Sequence, residues 1–225
     1  MDERVSIIIT CHNLETYLSD CVNSIYSQTV RPKEVIIVHD GCKKPTVWSS
    51  CNTYFRNNNI GVAKSREEGV KLTSGEYIMF LDADDALAEN YIENALVTIQ
   101  GVDVAYPNIL LLSHWGEEKK QNGWYSPAKR ITFDKLIKKN EVVVTSLMRR
   151  KVYEKVGGFD DTLPIFEDWD FFLKALRQGF KFRQMTTFLK YRQRTQSRNH
   201  QSKKIREETF RLIRDRHIAL TKKNK

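Results

Sequence analysis

No apolar run in this 225-residue chain approaches the roughly 20 residues a helix needs to cross a bilayer. The N-terminus, MDERVSIIIT, carries charges of both signs and then an apolar run too short for a signal-peptide core, with no small-residue cleavage site. These absences lead to the expectation of a soluble, intracellular chain. Cysteine is sparse. Cys11, Cys21, Cys42 and Cys51 form no C-x-x-C pair and have no histidine cluster beside them at zinc spacing, which reads as reduced thiols in ordinary packing. Internal repeats and low-complexity stretches are missing. Acidic residues nearly vanish from the last quarter: residues 171–225 hold 17 basic and 3 acidic side chains, whereas residues 1–100 hold 9 and 14. The net charge of +9 is therefore a property of the C-terminal quarter. Such a block attracts phosphates, whether of a nucleotide, a lipid headgroup or a nucleic acid, or it is a solvated tail.

What is present are dense apolar runs, enough for a chain of this length to bury about 70% of its unfolded surface. Residues 5–10 (VSIIIT), 34–38 (EVIIV) and 77–81 (YIMFL) read as buried strands. Residues 53–56 are a less clear strand. Asn13 is a candidate N-cap for a helix through Leu14, Tyr17, Leu18, Cys21, Val22 and Ile25. Further helices are expected over 62–72 and 88–100. Alternating strands and helices imply an α/β fold with an open parallel sheet, whose ligands bind outside the carboxyl ends of the strands. In the second half the spacing predicts a hairpin-like segment near 117–125, a helix over 132–139, a strand over 142–148 and a turn at Gly157-Gly158. A helix from Glu167 to Arg177, a strand over 181–192 and a basic helix over 202–220 follow. In that last helix Ile205, Leu212, Ile213 and Leu220 share a face.

Two acidic clusters stand out. Asp82, Asp84 and Asp85 crowd the end of a buried strand. One aspartate is explained as a helix cap; three favour a divalent cation, because Mg²⁺ and Mn²⁺ take carboxylate and phosphate oxygens. Glu167-Asp168-Trp169-Asp170 is either a helix start or a carboxylate base with an aromatic beside it to shape an acceptor pocket. His12, Asn13, Asp40, Gly41 and Arg66 are weaker candidates. Asp40 could accept from a base or ribose, and Arg66 could pair with base or phosphate.

Taken in order, VSIIITCHN (5–13), EVIIVHDG (34–41), NIGVAKSREEG (59–69), GEYIMFLDADD (75–85), KVGGFDDTL (155–163), EDWDFFLKALRQG (167–179) and YRQRTQS (191–197) resemble the family 2 glycosyltransferases of the GT-A fold. The resemblance implies a Rossmann-like, open, twisted, mostly parallel sheet flanked by helices in a single domain. Residues 1–200 would form that domain, 1–100 being the nucleotide-sugar half and 101–200 the acceptor half; 201–225 would be a basic C-terminal helix or tail. It further implies an inverting transfer from a nucleotide-diphospho-sugar, a UDP-sugar by expectation, to a hydroxyl of a glycan or lipid-linked acceptor. Thr10, His12, Asn13, Asp40, Arg66, Asp82 and Asp84 would surround the donor, and Asp84 with Asp85 would hold Mn²⁺ or Mg²⁺. Asp168 would be the general base with Glu167 beside it. Trp169, Arg192 and Arg194 would lie on the acceptor side, the arginines also able to close over the donor. The chain departs from the family's pattern at Thr10 (usually Pro), His39 (usually acidic), Cys42 (often Ser) and Glu67 (usually Asn). Alternatives are the same chemistry on a hydroxymethylated base in DNA, a nucleotidyltransferase, or a non-catalytic nucleic-acid-binding module. The expected location is cytoplasmic, with peripheral contact at the anionic inner membrane face.

Overall fold

The computed structural model describes residues 2–43, 45–113, 123–194 and 202–223. Nine strands form a single sheet in the order β3-β2-β1-β4-β8-β6-β9-β5, with β7 paired to β6. The first half matches the expected pattern. Strands β1 (Asp2–Cys11), β2 (Pro32–Asp40), β3 (Asn52–Arg56) and β4 (Tyr77–Asp82) are parallel, in register from Ile7↔Val35 to Cys11↔His39 and from Val5↔Tyr77 to Thr10↔Asp82. Near-continuous apolar strands are what a sheet covered on both faces requires. Alternation sorts the side chains onto those faces. Val5, Ile7, Ile9, Tyr77, Met79 and Leu81 pack in one core with Leu18, Cys21, Val22 and Ile25 of α1 (Glu15–Tyr26) and with Tyr91, Ile92 and Ala95 of α3 (Tyr91–Thr98). Ile8, Ile78 and Phe80 belong to a second core on the opposite face. There α2 (Val62–Lys71) crosses the sheet so closely that a Cβ at Gly69 would come within 2.3 Å of Ile8.

The second half adds short antiparallel pairings to the mostly parallel sheet. β4 pairs antiparallel with β8 (Leu147–Arg149), and β8 antiparallel with β6 (Val104–Leu112). β6 then runs parallel to β9 (Phe182–Arg192), and β9 antiparallel to the two-residue β5 (Ala86–Leu87). The sheet is mixed because short β8 turns back between β4 and β6. The expected strand over 142–148 shrinks to β8, and the helix over 132–139 to α4 (Phe133–Leu136). Of the hairpin-like segment, 117–122 lie outside the described residues; β7 (Trp124–Tyr125) pairs with Ile109 and Leu110.

Helices α4, α5 (Arg150–Val156), α6 (Glu167–Arg177) and α7 (Lys203–Lys223) build the second core, centred on fully buried Trp169, Phe171 and Phe172. The α7 seam differs from the expected apolar face: Leu212 and Leu220 are exposed, while Thr209, Ile213 and His217 are buried. His217 Nε2 meets Asp170 Oδ1 at 2.9 Å inside the core, and Phe210 stacks on Trp169 with centroids 4.6 Å apart. A hydrogen-bonded polar seam replaces the apolar one, so periodicity alone misses it.

Candidate active site

The parallel strands end on one edge, and there two clefts open, each of about 530 Å³, a volume in the range of small-molecule sites. The first is lined by Thr10, Cys11, His12 and Asn13 after β1, Asp40 after β2, Ile60 and Gly61 before α2, and the acidic strand end, with Arg194 closing it. The second is lined by Asp168, Thr145, Trp124 and Tyr125 among others. Asp82, Asp85, Glu167 and Tyr191 line both, so the clefts meet at the acidic residues.

Each expected residue has a definite place. The two oxygens of Asp40 accept from the backbone N–H groups of Ile60 (2.7 Å) and Gly61 (3.0 Å), fixing the entry to α2. Gly41 follows at φ +66°, where a Cβ would lie 2.6 Å from the Asn59 nitrogen. His12 donates through Nδ1 to the Asp40 carbonyl, and Asn13 lies 3.2 Å from its Nε2. Asn13 is not a cap: α1 starts at Glu15, and Asn13 sits at φ +53° with its side chain accepting from the Lys43 N–H. Thr10 Oγ1 reaches Asp82 Oδ1 at 3.5 Å.

Arg66 differs from expectation. It is 1% exposed and joins the two acidic clusters, donating to Asp82 Oδ1 at 2.9 Å and to Glu167 Oε1 at 2.8 Å. Its guanidinium lies over the Phe159 and Phe80 rings. It is thus an internal strut between the clefts and does not reach out to a base or phosphate. Glu167 is correspondingly buried in that ion pair. Asp168, half-buried at the start of α6, accepts from the Trp169 N–H at 2.7 Å and lines the second cleft. The residue preceding α6, Phe166, holds φ +66°. A bulky side chain in the left-handed region costs about 1–3 kcal/mol and marks a position held by its surroundings.

Three acceptor-side expectations are corrected. Trp169 is fully buried, its indole N–H donating to the Leu136 carbonyl at 2.7 Å, and it lines neither cleft. Arg192 and Arg194 lie at the acidic strand end. Arg192 N–H binds Asp85 Oδ1 at 2.9 Å, and its Nε binds the Asp84 carbonyl at 3.0 Å. Arg194 Nε pairs with Asp84 Oδ2. The sequence places these arginines at and just after the end of β9, but only the β9–β5 pairing brings them beside residues 84–85. Of YRQRTQS, 195–197 lie outside the described residues.

Capping does not explain the first acidic cluster: α3 starts at Tyr91, behind Asn90. Asp84 and Asp85 are buried and both titrate above the ordinary carboxylate range. Burial is the main cause, followed by the neighbouring carboxylates. Burial and the same aspartates push the Tyr191 phenol up as well. Sequence reading missed one feature entirely. Cys11, His39 and Cys42 bring three ligand atoms within 4.8 Å of one another. The signal was available in the parallel register, which pairs Cys11 with His39.

Parallel strands that end in carboxylates beneath a cleft define an α/β protein with a ligand site at the carboxyl ends of its strands. The chain belongs to glycosyl transferase family 2, whose model matches residues 6–157. Among its relatives, the glycosyltransferase YwdF of Bacillus subtilis is 30% identical over 187 residues, covering 77% of this chain and 68% of that protein. Glycosyltransferase GlyA of Streptococcus pneumoniae is 31% identical over 101 residues, covering 41% of this chain and 14% of its own. Staphylococcus aureus TarS, crystallised with UDP-GlcNAc, superposes with a TM-score of 0.74 at 20% identity. The match covers 93% of this chain and 65% of the TarS chain, and it confirms the GT-A-type fold. Among the described residues no helix is long and apolar enough to cross a membrane.

Proposed function

We propose that the chain transfers a sugar from a UDP-sugar to a hydroxyl acceptor with inversion at the anomeric carbon. The observation that carries this reading is the pair of clefts meeting at Asp82, Asp85, Glu167 and Tyr191, with Asp84 facing only the first and Asp168 only the second. A donor cleft and an acceptor cleft sharing one wall is the geometry a direct displacement needs. Family membership and the fold shared with TarS, itself crystallised with UDP and with UDP-GlcNAc, support the donor class.

The residues fit a hard divalent cation. The buried carboxylates of Asp84 and Asp85, held above their ordinary titration range, have only partial compensation from Arg194 and Arg192, and Mg²⁺ or Mn²⁺ would supply the rest. Asp84 would hold the ion with Asp85 in support. When bound, the ion neutralises charge on the departing diphosphate. The protein's own steps are these. Asp168 accepts the proton of the acceptor hydroxyl. The freed oxygen forms its bond to the anomeric carbon as the carbon–oxygen bond to the diphosphate breaks, and UDP leaves with that electron pair. Arg194, which lines the first cleft, places fixed positive charge where the leaving group's charge grows, and Arg192 holds Asp84 and Asp85 from behind. Arg66 holds Asp82 and Glu167, and with them the two clefts, in one geometry.

The acceptor is a glycan or lipid-linked hydroxyl. The arginines of α7 favour this over DNA: Arg211 pairs with Glu207, Arg214 with Asp215 and Arg216 with Asp160, which breaks up a continuous basic stripe. The remaining positive charge is consistent with resting on an anionic membrane surface. The test is UDP release from a panel of UDP-sugars, with Mn²⁺ and with EDTA, alongside thermal shifts. One UDP-sugar at 100 times its dissociation constant should stabilise the chain by about 2.7 kcal/mol. Absence of both shift and release across the panel would refute the reading.

A further inference from the structure

Beside the first cleft, at the carboxyl ends of β1 and β2, three side chains of a different chemical character converge, of which Cys11 reaches the cleft itself. Cys11 ends β1, His39 is its register partner in β2, and Cys42 folds back after the Gly41 turn. Cys42 Sγ lies 3.9 Å from Cys11 Sγ and 3.3 Å from His39 Nδ1, and the three ligand atoms fall within 4.8 Å of one another. With metal–sulfur bonds of about 2.3 Å and metal–nitrogen bonds of about 2.0–2.1 Å, a tetrahedral zinc ion has sulfur–sulfur edges of about 3.8 Å and sulfur–nitrogen edges of about 3.5 Å. The two observed edges already have that size.

One further observation suits a metal. His39 Nε2 lies 3.0 Å from the Thr46 carbonyl, which can only accept. The ring proton of the neutral imidazole is therefore on Nε2, and the Nδ1 lone pair faces Cys42. A backbone carbonyl on the far ring nitrogen orients metal-binding histidines in this way.

We propose that Cys11, His39 and Cys42 bind one zinc ion, the fourth position being open to water. Two thiolates offset the charge of the dication, and binding releases two thiol protons to solvent. Because those protons must leave, affinity rises with pH. Soft sulfur ligands select zinc over the Mg²⁺ or Mn²⁺ suited to the carboxylate cluster, so two sites of opposite hardness lie at the carboxyl ends of neighbouring strands. The ion would clip the carboxyl ends of β1 and β2 to the segment after Gly41, making that wall of the cleft rigid. This inference does not rest on the proposed sugar transfer.

The full chain, purified under reducing conditions and stripped by a chelator, is titrated with Co²⁺ as the spectroscopic probe and then with Zn²⁺. The expected result is a thiolate-to-cobalt charge-transfer band in the near ultraviolet with intense tetrahedral bands in the visible. Both should saturate at one equivalent and be displaced by Zn²⁺. Cys42→Ser, at a half-buried turn position, and Cys11→Ser should each remove most of the charge-transfer band. Asp84→Ala should leave it intact, since carboxylate-bound cobalt lacks that transition. Circular dichroism verifies that each variant is folded. No charge-transfer band in the reduced protein, a band that persists in Cys42→Ser, or a Cys11–Cys42 disulfide as the sole state of the purified chain would each overturn the site.

Discussion

The two acidic clusters use the same residue types in opposite ways. At the end of β4, burial and mutual repulsion leave Asp84 and Asp85 titrating high, with Arg194 and the Arg192 backbone as partial compensation. At the start of α6, burial also acts against Asp170, but the His217 and Lys174 partners outweigh it and hold the group below its ordinary range. Glu167 is neutralised by Arg66. The first cluster keeps unbalanced negative charge pointed at a cleft; the second uses its charge to bind α6 to the rest of the fold and leaves Asp168 at the cleft wall. Local density of carboxylates therefore says little by itself. The partners that tertiary structure supplies decide whether a cluster is a ligand site or a fastener.

That contrast can be broken in a graded series. The largest effect is expected from Asp168→Asn, which keeps size but cannot take the acceptor proton. UDP release in the presence of acceptor should fall roughly 10²–10⁴-fold while donor affinity by calorimetry stays the same. Next, Arg66→Met removes the cation that both clusters share and strands two carboxylates. A loss of about 3–5 kcal/mol in urea unfolding is expected, and a loss below 1 kcal/mol would mean the strut is not structural. Asp170→Asn should cost about 1–3 kcal/mol, because the buried Asp170–His217 bond loses its charged acceptor. Asp84→Asn should lie within about 0.5 kcal/mol of wild type or be stabilising, since it relieves repulsion, yet it should abolish any Mn²⁺-dependent thermal shift. If Asp84→Asn and Asp170→Asn destabilise equally, the distinction between the clusters fails.

The smallest effect concerns acid. Burial acts to raise Asp160, but hydrogen bonds from Thr162 and the Arg216 ion pair overcome it and hold the group at about 2. A depressed carboxylate contributes stability that is full above its unfolded value near 3.9 and lost as pH falls towards 2. Asp170, depressed in the same sense, adds to the loss, and both anchor α7. Acid unfolding should therefore begin with α7. Arg216→Ala should cost about 0.5–1 kcal/mol at neutral pH, with the difference from wild type vanishing near pH 2.

The parts legible in the sequence are those whose signal is local. β1, β2 and β4 announce themselves as apolar runs, α1 and α2 by periodicity, and the strand-end aspartates by their position. What escaped depends on pairing over distance. The antiparallel turn of β8 sits in a segment only three residues long. Trp169 lies between acidic residues, and nothing local says that it points into the core. The α7 seam is carried by Thr209 and His217, residues a hydrophobicity pattern scores as surface. Arg192 and Arg194 reach the acidic cluster only because β9 pairs with β5. The Cys11–His39–Cys42 cluster joins ligands from two strands and a turn, which no fixed sequence spacing encodes.

Strand β9 occupies the slot between β6 and β5, and it is the last strand in the described chain. During synthesis, which runs at about 5–20 residues per second from the N-terminus, the β1–β2–β4 layer can assemble while that slot is still empty. Until residues 182–192 emerge, β6 has one edge exposed and Asp84 and Asp85 lack their arginine neighbours. The same strand thus supplies the parallel partner of β6 and the arginine neighbours of Asp84 and Asp85, so the sheet and the acidic strand end are completed by one element.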